Sequence, residues 1–272
     1  MKGKINEDKV VNVVVYILLA FIGIVTLYPF YYTIICSFND GLDLMKGGVY
    51  LWPRKFTLSN YELFIGDEGW RHAFFISVAR TIVGTVLCTG FTSMFSYALS
   101  RNNLMFKKGY RFLVIFTMYF SGGLIPYYVL LRSLGLLNTF WVYVIPGMVN
   151  TFFVMTGINF FASIPESMIE AAKIDGANGV QRFFRIVLPY MKSVIKVTVS
   201  MSIIENFKQF PLFWTMTGGG PNNSTTTMAI LSYREAFVSN NFGSGAAVTT
   251  VWMLMMIVVV YIYNRIFKSE DM

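Results

Sequence analysis

The sequence has few charged residues and almost none of the residue types that bind metal ions. Only 13% of its 272 residues are charged and 55% are hydrophobic, whereas soluble domains have about 25% charged residues. The single histidine, His72, lies beside an apolar stretch, so neither a metal site nor acid–base catalysis is predicted. Cys36 and Cys88 lack metal-ligand spacing and are predicted to be buried thiols. These absences leave no room for a soluble catalytic domain and favour a surface that faces lipid.

Long apolar stretches predict an all-α integral membrane protein with six transmembrane helices. Residues 10–36 contain no charge and are long enough to span ~30 Å of hydrocarbon. No small-residue cleavage site follows them, so we interpret them as an uncleaved helix and not as a signal peptide. Five further spans are predicted at residues 73–98, 112–131, 141–162, 190–217 and 245–264.

The loops between these spans differ in their content of basic residues, which predicts the topology. The N-terminus, the loops after the second and fourth spans and the residues after the last span, together with Lys192 at the start of the fifth span, hold thirteen lysines and arginines, and the other loops hold six. Loops rich in Lys and Arg stay in the cytoplasm. We therefore predict a cytoplasmic N-terminus at 1–9, a membrane domain at 10–268 and a cytoplasmic tail at 269–272. The net charge of +8 is then a topology signal, and nucleic-acid binding is not predicted.

The predicted cytoplasmic loop at 163–189 has the pattern of a helix, a glycine break and a second helix. Ser163 is a candidate N-cap for the first helix, and Pro165 fits its first turn. Gly176 suits a left-handed residue at the helix end. A second short helix then leads to Pro189, which can open the next span.

This loop is interpreted either as a docking surface or as a helix on the membrane surface. Ala171 and Ala172 have small side chains beside which another protein can approach closely, and Glu170 can accept hydrogen bonds from that protein. The alternative is an amphipathic helix that lies on the lipid headgroups. The residues by themselves favour neither interpretation.

Four spaced elements of this loop resemble the EAA signature of permease subunits from binding-protein-dependent ABC importers. They are Glu170-Ala171-Ala172, then Gly176, then Ile186-x-Leu188-Pro189. In that family the segment is a coupling helix that sits in a cleft of the ATP-hydrolysing subunit. The resemblance implies a docking role for Glu170, Ala171, Ala172, Asp175 and Gly176. It also implies that Leu188 and Pro189 fix the start of the next helix.

The resemblance extends along most of the chain and is strongest to the carbohydrate branch, which includes the maltose permeases. The supporting stretches include Tyr28-Pro29-Phe30, Leu51-Trp52-Pro53 and the run from Phe120 to Asn138. The run from Met216 to Asn222 is similar to a loop in the other permease of such pairs, so the position in the heterodimer stays open.

The resemblance implies the type I ABC importer permease fold in a bacterial inner membrane. Its expected partners are a second, paralogous permease, an ATP-binding-cassette ATPase dimer, an extracytoplasmic solute-binding (lipo)protein, membrane lipid and a saccharide. ATP and Mg²⁺ are expected on the ATPase subunits. This chain is expected to bind no cofactor and to be no enzyme itself.

Polar residues inside the predicted spans are candidates for the transport pathway, because a charge at mid-helix costs ~2.5–3.5 kcal/mol. The candidates are Arg80, Asn150, Glu205, Asn206, Lys208, Gln209 and Trp214. Glu205 and Lys208 are three residues apart and can pair on one helix face, so a structural ion pair is the alternative for them. Arg80 could instead extend towards the membrane surface. Trp214 could serve in packing or at the interface.

The glycine-rich segment Thr217–Thr227 is not predicted to bind nucleotide. It lacks the Lys-Ser/Thr ending of a P-loop and is predicted to lie outside the membrane. We interpret it as a flexible external turn that contacts the binding protein or the partner permease. Tyr61 and Trp70 in the first external loop are weaker candidates for the same contact.

Three other functions remain as alternatives to a sugar permease. The chain could be a permease of the same superfamily for a peptide or another small solute. It could be a self-sufficient secondary carrier, although carriers are normally built from internal repeats and none is visible. The last alternative is a structural membrane anchor.

Overall fold

The protein is predominantly helical over the residues that its structure, a computed structural model, describes. These are residues 2–267, with the side chains of 9–62, 66–192 and 194–267. The predicted tail at 269–272 and the side chains of Lys2, Lys4 and Lys268 lie outside this part of the chain. The α-helices are α1 Lys2–Ser37, α2 Gly41–Leu44, α3 Ser59–Gly66, α4 Glu68–Ser100, α5 Lys107–Tyr119, α6 Leu124–Ser133, α7 Thr151–Ala162, α8 Glu166–Ile174, α9 Gly179–Arg182, α10 Leu188–Tyr190, α11 Lys192–Lys208, α12 Pro211–Met216, α13 Met228–Tyr233 and α14 Phe242–Ile266.

Three helices are long and apolar enough to cross a membrane without interruption. They are Lys9–Ser37 within α1, the whole of α4 and the whole of α14. They contain the predicted first, second and sixth spans. None of the most apolar part of the α1 span is buried within the chain, whereas a third of that part of α4 is. The surface of α1 is therefore left to lipid or to another subunit.

The other three predicted spans are broken helices, and not the continuous ones that the sequence predicted. The third is α5 followed by α6 with a bend of 116°, because Gly123 at the break has φ +85°, a conformation that only glycine adopts easily. The fourth joins Phe140–Gly147 to α7 at 40°. The described residues thus give three spans, or up to six when each bent pair is counted as one.

The fifth span differs most from its predicted boundaries of 190–217. The qualifying pair is Gly179–Tyr190 followed by Val194–Lys208, with a bend of 83°. At its C-terminal end α11 stops at Lys208, where Gln209 turns extended and Pro211 starts α12. Proline lacks the backbone N–H that would continue the helix. The 17 residues of α11 rise by about 25 Å, less than the ~30 Å of the hydrocarbon core.

The chain divides into two compact units, of which the first comprises the residues up to Trp70 together with Leu231–Met253. Its loop after α1 is tied by an ion pair of 2.9 Å between Arg54 and Asp43. The Arg54 guanidinium holds the pKa of the buried Asp43 carboxyl below its usual range. Trp70 is only 2% exposed, so it is not available for the predicted contact with another protein. The hydroxyl of Tyr61 lies 2.6 Å from that of Ser37.

The second unit comprises Arg71–Ile230 and the described residues from Leu254 onwards. One of its apolar clusters is centred on Val142, Tyr143 and Phe213, and another on Phe161 and Val187. Both of the sites predicted from the sequence lie in this unit.

Close helix approach in the second unit depends on small residues. A Cβ at Gly157 of α7 would lie 2.5 Å from the hydroxyl oxygen of Ser96 in α4. The same hydroxyl donates to the carbonyl of Val154 at 3.2 Å. Small residues at contacts of this kind let membrane helices pack backbone to backbone.

Candidate functional site

Five of the seven predicted pathway residues line one cavity of about 210 Å³ in the second unit. They are Arg80, Asn150, Glu205, Asn206 and Gln209. The volume of this cavity is smaller than that of most ligand sites, which enclose roughly 300–1,000 Å³. Its lining combines polar side chains from α4, α11 and the N-cap of α7 with aromatic side chains, a mixture suited to a polar ligand with apolar faces.

Arg80 of α4 is the most deeply buried charged group in this lining, with 4% of the residue exposed. Its guanidinium carbon lies 4.0 Å from the centre of the Phe213 ring, a cation–π arrangement. Nη1 donates a hydrogen bond to the backbone carbonyl of Asn206. That carbonyl is one of the last of α11, where no helical donor remains. Arg80 therefore packs against the point where α11 breaks.

Asn206 is held in place by its own helix and by a close approach of α4. Its Nδ2 donates to the carbonyl of Ser202 at 2.8 Å. A Cβ at Gly84 of α4 would lie 2.7 Å from Asn206 Oδ1, so glycine is needed there to leave room for the amide.

Asn150 is positioned by its role as the N-cap of α7. Its Oδ1 accepts a hydrogen bond from the backbone N–H of Phe153 at 3.1 Å, and its own N–H donates to Thr92 Oγ1 at 3.2 Å. A side-chain cap of this kind satisfies a free donor at the helix start. Asn150 thus lines the cavity while it fixes the break before α7.

Lys208 and Trp214 are the two predicted pathway residues that do not line the cavity. The Lys208 ammonium forms an ion pair of 2.7 Å with Glu205, and both side chains are substantially exposed. Trp214 stacks on Phe210 with ring centres 6.1 Å apart. For these two residues the alternatives of a structural ion pair and of packing fit the geometry better.

The lining also contains two tyrosines and a serine that were not predicted from the sequence, Tyr127, Tyr143 and Ser202. Ser202 lies one helical turn before Asn206, so helical spacing could have found it. Tyr127 and Tyr143 lie in apolar runs rich in aromatics, where no local signal separates a lining residue from a packing residue.

The glycine-rich segment, which the sequence predicted to be a flexible external turn, is packed inside the second unit except at its tip. Thr225, Thr226 and Thr227 are 2–3% exposed. The hydroxyl of Tyr143 donates to the carbonyl of Thr225 at 2.9 Å. Only the tip at residues 221–224 is exposed, because the threonine hydroxyls turn inwards and bond the glycine carbonyls.

The predicted coupling segment has the helix, glycine break and second helix that its pattern indicates. The first helix is α8, and Gly176 follows it with φ +79°. The N–H of Ala177 bonds the carbonyl of Ala172, and that of Gly176 bonds the carbonyl of Lys173. This pair of bonds is a Schellman cap. Ser163 is not the N-cap, because it ends α7 and its hydroxyl donates to the carbonyl of Phe160.

The first part of this segment presents both charged and apolar groups on its surface. Glu170, Ala171 and Asp175 are exposed, and Ile174 is 86% exposed. Ala172, in contrast, is 8% exposed and packs within the chain. It therefore does not present its side chain to a partner as predicted.

The second part of the segment is more irregular than one short helix. Asn178 and Gln181 form a capping box at the start of α9, after which Phe183–Val187 is π-helical. Leu188 is partly buried and Pro189 is exposed within α10. The new helix α11 begins three residues after Pro189.

An aromatic cluster joins the coupling segment to α4 and α7. The ring of Tyr97 in α4 meets those of Phe161 and Phe183 edge-on, with centres 5.7 and 5.4 Å apart. The guanidinium of Arg101 lies 4.4 Å from the centre of the Tyr97 ring, and its Nη2 donates to the carbonyl of Phe161 at 3.4 Å. These contacts would therefore transmit a movement of the segment to α4 and α7.

No group of three or more possible metal ligands occurs among the side chains that the structure describes. His72 is exposed and Cys36 and Cys88 are buried free thiols, as the sequence predicted for the cysteines. Neither the cavity nor the coupling segment offers a metal ion a set of ligands from the described part of the chain.

Residues 8–269 match the family described as "Binding-protein-dependent transport system inner membrane component". The chain is similar to the polygalacturonan/rhamnogalacturonan transport system permease protein YtcP of Bacillus subtilis, with 34% identity over 72% of this chain and 68% of YtcP. It is also similar to the galactooligosaccharides transport system permease protein GanQ of the same organism, with 33% identity over 67% and 66% of the two chains.

The fold matches a solved structure described as a bacterial ABC transporter involved in the import of the acidic polysaccharide alginate. The TM-score is 0.79, the match covers 98% of both chains, and the sequence identity is 23%. The predicted all-α permease fold and the predicted family are confirmed. The chain is a multi-pass membrane protein that belongs to the family of binding-protein-dependent transport system inner membrane components.

Proposed function

We propose that the chain is one permease subunit of an ATP-driven importer of a sugar or oligosaccharide. It forms half of a translocation pore with a second, paralogous permease. An extracytoplasmic solute-binding protein delivers the saccharide to this pore. Both termini lie in the cytoplasm, on the side where basic loops accumulate.

The coupling segment is the observation that most supports an ATP-driven mechanism. A helix of nine residues ends in a Schellman cap, and its surface combines the carboxylates Glu170 and Asp175 with the apolar side chain of Ile174. Protein interfaces have an apolar centre with polar groups around it. The segment sits in a cleft of the ATPase subunit, and closure of two ATPase subunits turns the pore outward.

ATP hydrolysis belongs to the partner subunits in this proposal. ATP and Mg²⁺ bind to the ATP-binding-cassette dimer, and this chain binds no cofactor. The glycine-rich segment has no lysine, and its threonines are packed inside the chain. It therefore does not offer phosphate groups the Lys and exposed backbone of a P-loop.

A saccharide substrate is supported by the relatives and by the chemistry of the cavity. YtcP and GanQ are named for the transport of pectic polysaccharides and galactooligosaccharides. The cavity offers the amides of Asn206 and Gln209 beside the ring of Tyr127. Amides bond hydroxyl groups, and aromatic rings cover the apolar faces of small ligands.

Charge reversal at Glu170 tests the docking assignment. We expect Glu170→Lys to abolish saccharide uptake while the protein still inserts into the membrane, because the exchange replaces a hydrogen-bond acceptor with a positively charged donor on the proposed docking surface. Glu62→Lys in α3 is the matched control, since Glu62 is also exposed and lies outside the coupling segment. Uptake is measured with labelled saccharide, and insertion by immunoblot of washed membranes.

Normal uptake by Glu170→Lys would contradict the docking assignment, and equal loss in both variants would make charge reversal itself the cause.

Purification of the tagged chain in mild detergent, followed by mass spectrometry, tests the assembly. We expect a second permease and an ATPase subunit to accompany it. A chain that is purified alone and moves solute without ATP would indicate a secondary carrier.

A further inference from the structure

The positive charge of Arg80 has no counter-charge among the described residues. Arg80 is 4% exposed, and its only hydrogen bond to the described groups joins Nη1 to the backbone carbonyl of Asn206. Its Nε is buried and has no hydrogen-bond partner. A buried charge is costly unless it is paired and hydrogen-bonded. The cavity therefore contains a cation whose bonding capacity is largely unused.

The carboxylate of Glu205 also lines the cavity, but it is already paired. Its Oε1 lies 2.7 Å from the ammonium of Lys208. No carboxylate of the described residues forms an ion pair with Arg80 within 4.0 Å. Glu205, Lys208 and Arg80 together leave one positive charge at this end of α11.

The protein groups around Arg80 offset only part of its charge. The Phe213 ring lies against one face of the guanidinium, which stabilises the charge through a cation–π interaction. The last carbonyls of α11 carry the negative end of the helix dipole, equivalent to roughly half a charge. A guanidinium with free N–H groups is the side chain best suited to bind a carboxylate through two parallel hydrogen bonds.

We propose that this cavity binds the carboxylate of an acidic sugar unit, with Arg80 as the residue that selects for the charge. The inference rests on the proposed function as a saccharide permease and names the class of saccharide. The volume of about 210 Å³ suits one sugar ring and not a whole oligosaccharide. The hydroxyls of that unit meet the amides of Asn206 and Gln209, and Tyr127 lies beside its ring.

The same carboxylate could be supplied by a side chain of the partner permease instead of by the substrate. The two sources differ in one consequence. A substrate carboxylate makes Arg80 important only for charged saccharides, whereas a carboxylate of the partner makes it equally important for charged and neutral ones.

The experiment compares the uptake of labelled trigalacturonate with that of its methyl ester, which keeps the sugar rings and removes the charges. Cells that lack the chromosomal gene make the full chain with its own partner subunits, as wild type, Arg80→Gln or Arg80→Lys. The solute-binding protein is the same throughout, so its own preference cancels between variants. Arg132→Gln is the matched control, because Arg132 is an exposed cation of α6 that does not line the cavity.

We expect wild type to import trigalacturonate better than the ester. Arg80→Gln should lower uptake of trigalacturonate by about 10- to 100-fold, the loss of a charged hydrogen-bond pair of about 1.5–3 kcal/mol, with uptake of the ester unchanged. Arg80→Lys keeps the charge without the planar fork and should give a smaller selective loss. If Arg80→Gln does not accumulate in membranes, Arg80→Lys serves as the test instead.

Equal loss for both substrates would overturn the proposal in favour of a structural role or a carboxylate of the partner. Unchanged uptake of trigalacturonate in Arg80→Gln would overturn it as well. Wild-type import of neutral oligosaccharides but not of trigalacturonate would refute the acidic class and leave the saccharide permease intact. Import of no saccharide at all would instead refute the proposed function.

Discussion

The cavity and the coupling segment, both in the second unit, differ in which groups they bury. The cavity encloses polar groups, whereas the coupling segment exposes apolar ones. In the cavity, Arg80 and Asn206 point their polar groups inward and are bonded to backbone atoms of the chain. In the coupling segment, the large apolar side chains of Ile174, Val180 and Phe184 are 86%, 67% and 60% exposed. The first arrangement leaves polar groups for something small, and the second leaves apolar area for something large.

This difference indicates that each region is suited to a different kind of partner. Buried polar groups need hydrogen-bond partners that fit within about 210 Å³, which a sugar unit provides. Exposed apolar groups of this size are typical of a surface that another protein covers. A permease needs both, one for the solute and one for the subunit that supplies energy.

Among the variants that compare the two regions, the largest effect is expected when the connection between them is cut. Tyr97→Leu removes two edge-on aromatic contacts and one cation–π contact, each worth about 0.5–1.5 kcal/mol. Movement of the coupling segment would then reach α4 less directly. We expect the number of ATP molecules hydrolysed per imported saccharide to rise about tenfold or more, measured in proteoliposomes.

Tyr97→Phe is the control for this prediction, because it keeps the ring and removes only the hydroxyl. It should behave like wild type. If Tyr97→Leu transports with the wild-type ratio of ATP to saccharide, the aromatic cluster is packing alone and the two regions communicate by another route.

The next effect is expected at the cavity. Gly84→Ala places a methyl group 2.7 Å from Asn206 Oδ1, and overpacking of this kind costs about 1–3 kcal/mol. We expect the KM for saccharide uptake to rise about five- to tenfold with little change in basal ATP hydrolysis. Gly90→Ala on the same helix is the control, since nothing lies within 4 Å of a Cβ there. Equal kinetics for the two variants would show that the position of Asn206 does not affect saccharide transport.

A smaller effect is expected at the end of the coupling helix. Gly176 has φ +79° with nothing near an added Cβ, so Gly176→Ala introduces only backbone strain of about 1–2 kcal/mol. We expect the saccharide-stimulated ATP hydrolysis to fall about two- to fivefold. Gly179→Ala, where φ is not positive, should have no effect. A Gly176→Ala variant with full activity would show that the Schellman cap does not set the docking geometry.

The smallest effect is expected at Lys208. Its ion pair with Glu205 is largely exposed. Exposed pairs within one helix contribute about 0.3–0.5 kcal/mol, so Lys208→Gln should change saccharide uptake less than about threefold. A much larger loss would place Lys208 in the pathway, although it does not line the cavity in this structure.

Features could be predicted from the sequence where their physical signal lies within a short stretch of the chain. The apolar stretches predicted the number of spans, and the pattern around Gly176 predicted a helix with a left-handed end. Arg80, Asn150 and Asn206 were found because polar groups are rare in apolar helices. Ala172 was misjudged because the side of a helix that packs inward depends on the rest of the chain.

Features that depend on distant parts of the chain could not be predicted. The bend after Tyr119 interrupts a stretch that is apolar on both sides, so hydropathy does not show it. Tyr127 lines the cavity, but its sequence neighbours resemble those of any interior aromatic. The threonines at 225–227 looked like an exposed turn, because the bond from Tyr143 joins residues 82 apart in sequence.

The most direct test of the account is site-specific photo-cross-linking from the coupling segment in intact membranes. A photoreactive amino acid replaces Ile174, which is 86% exposed, and in a control chain Val258 of α14, which is 53% exposed. The account predicts that position 174 cross-links to an ATP-binding-cassette subunit, identified by mass spectrometry, and that position 258 does not. Cross-links from position 174 to lipid alone would contradict the docking role and show that α8 lies on the membrane surface.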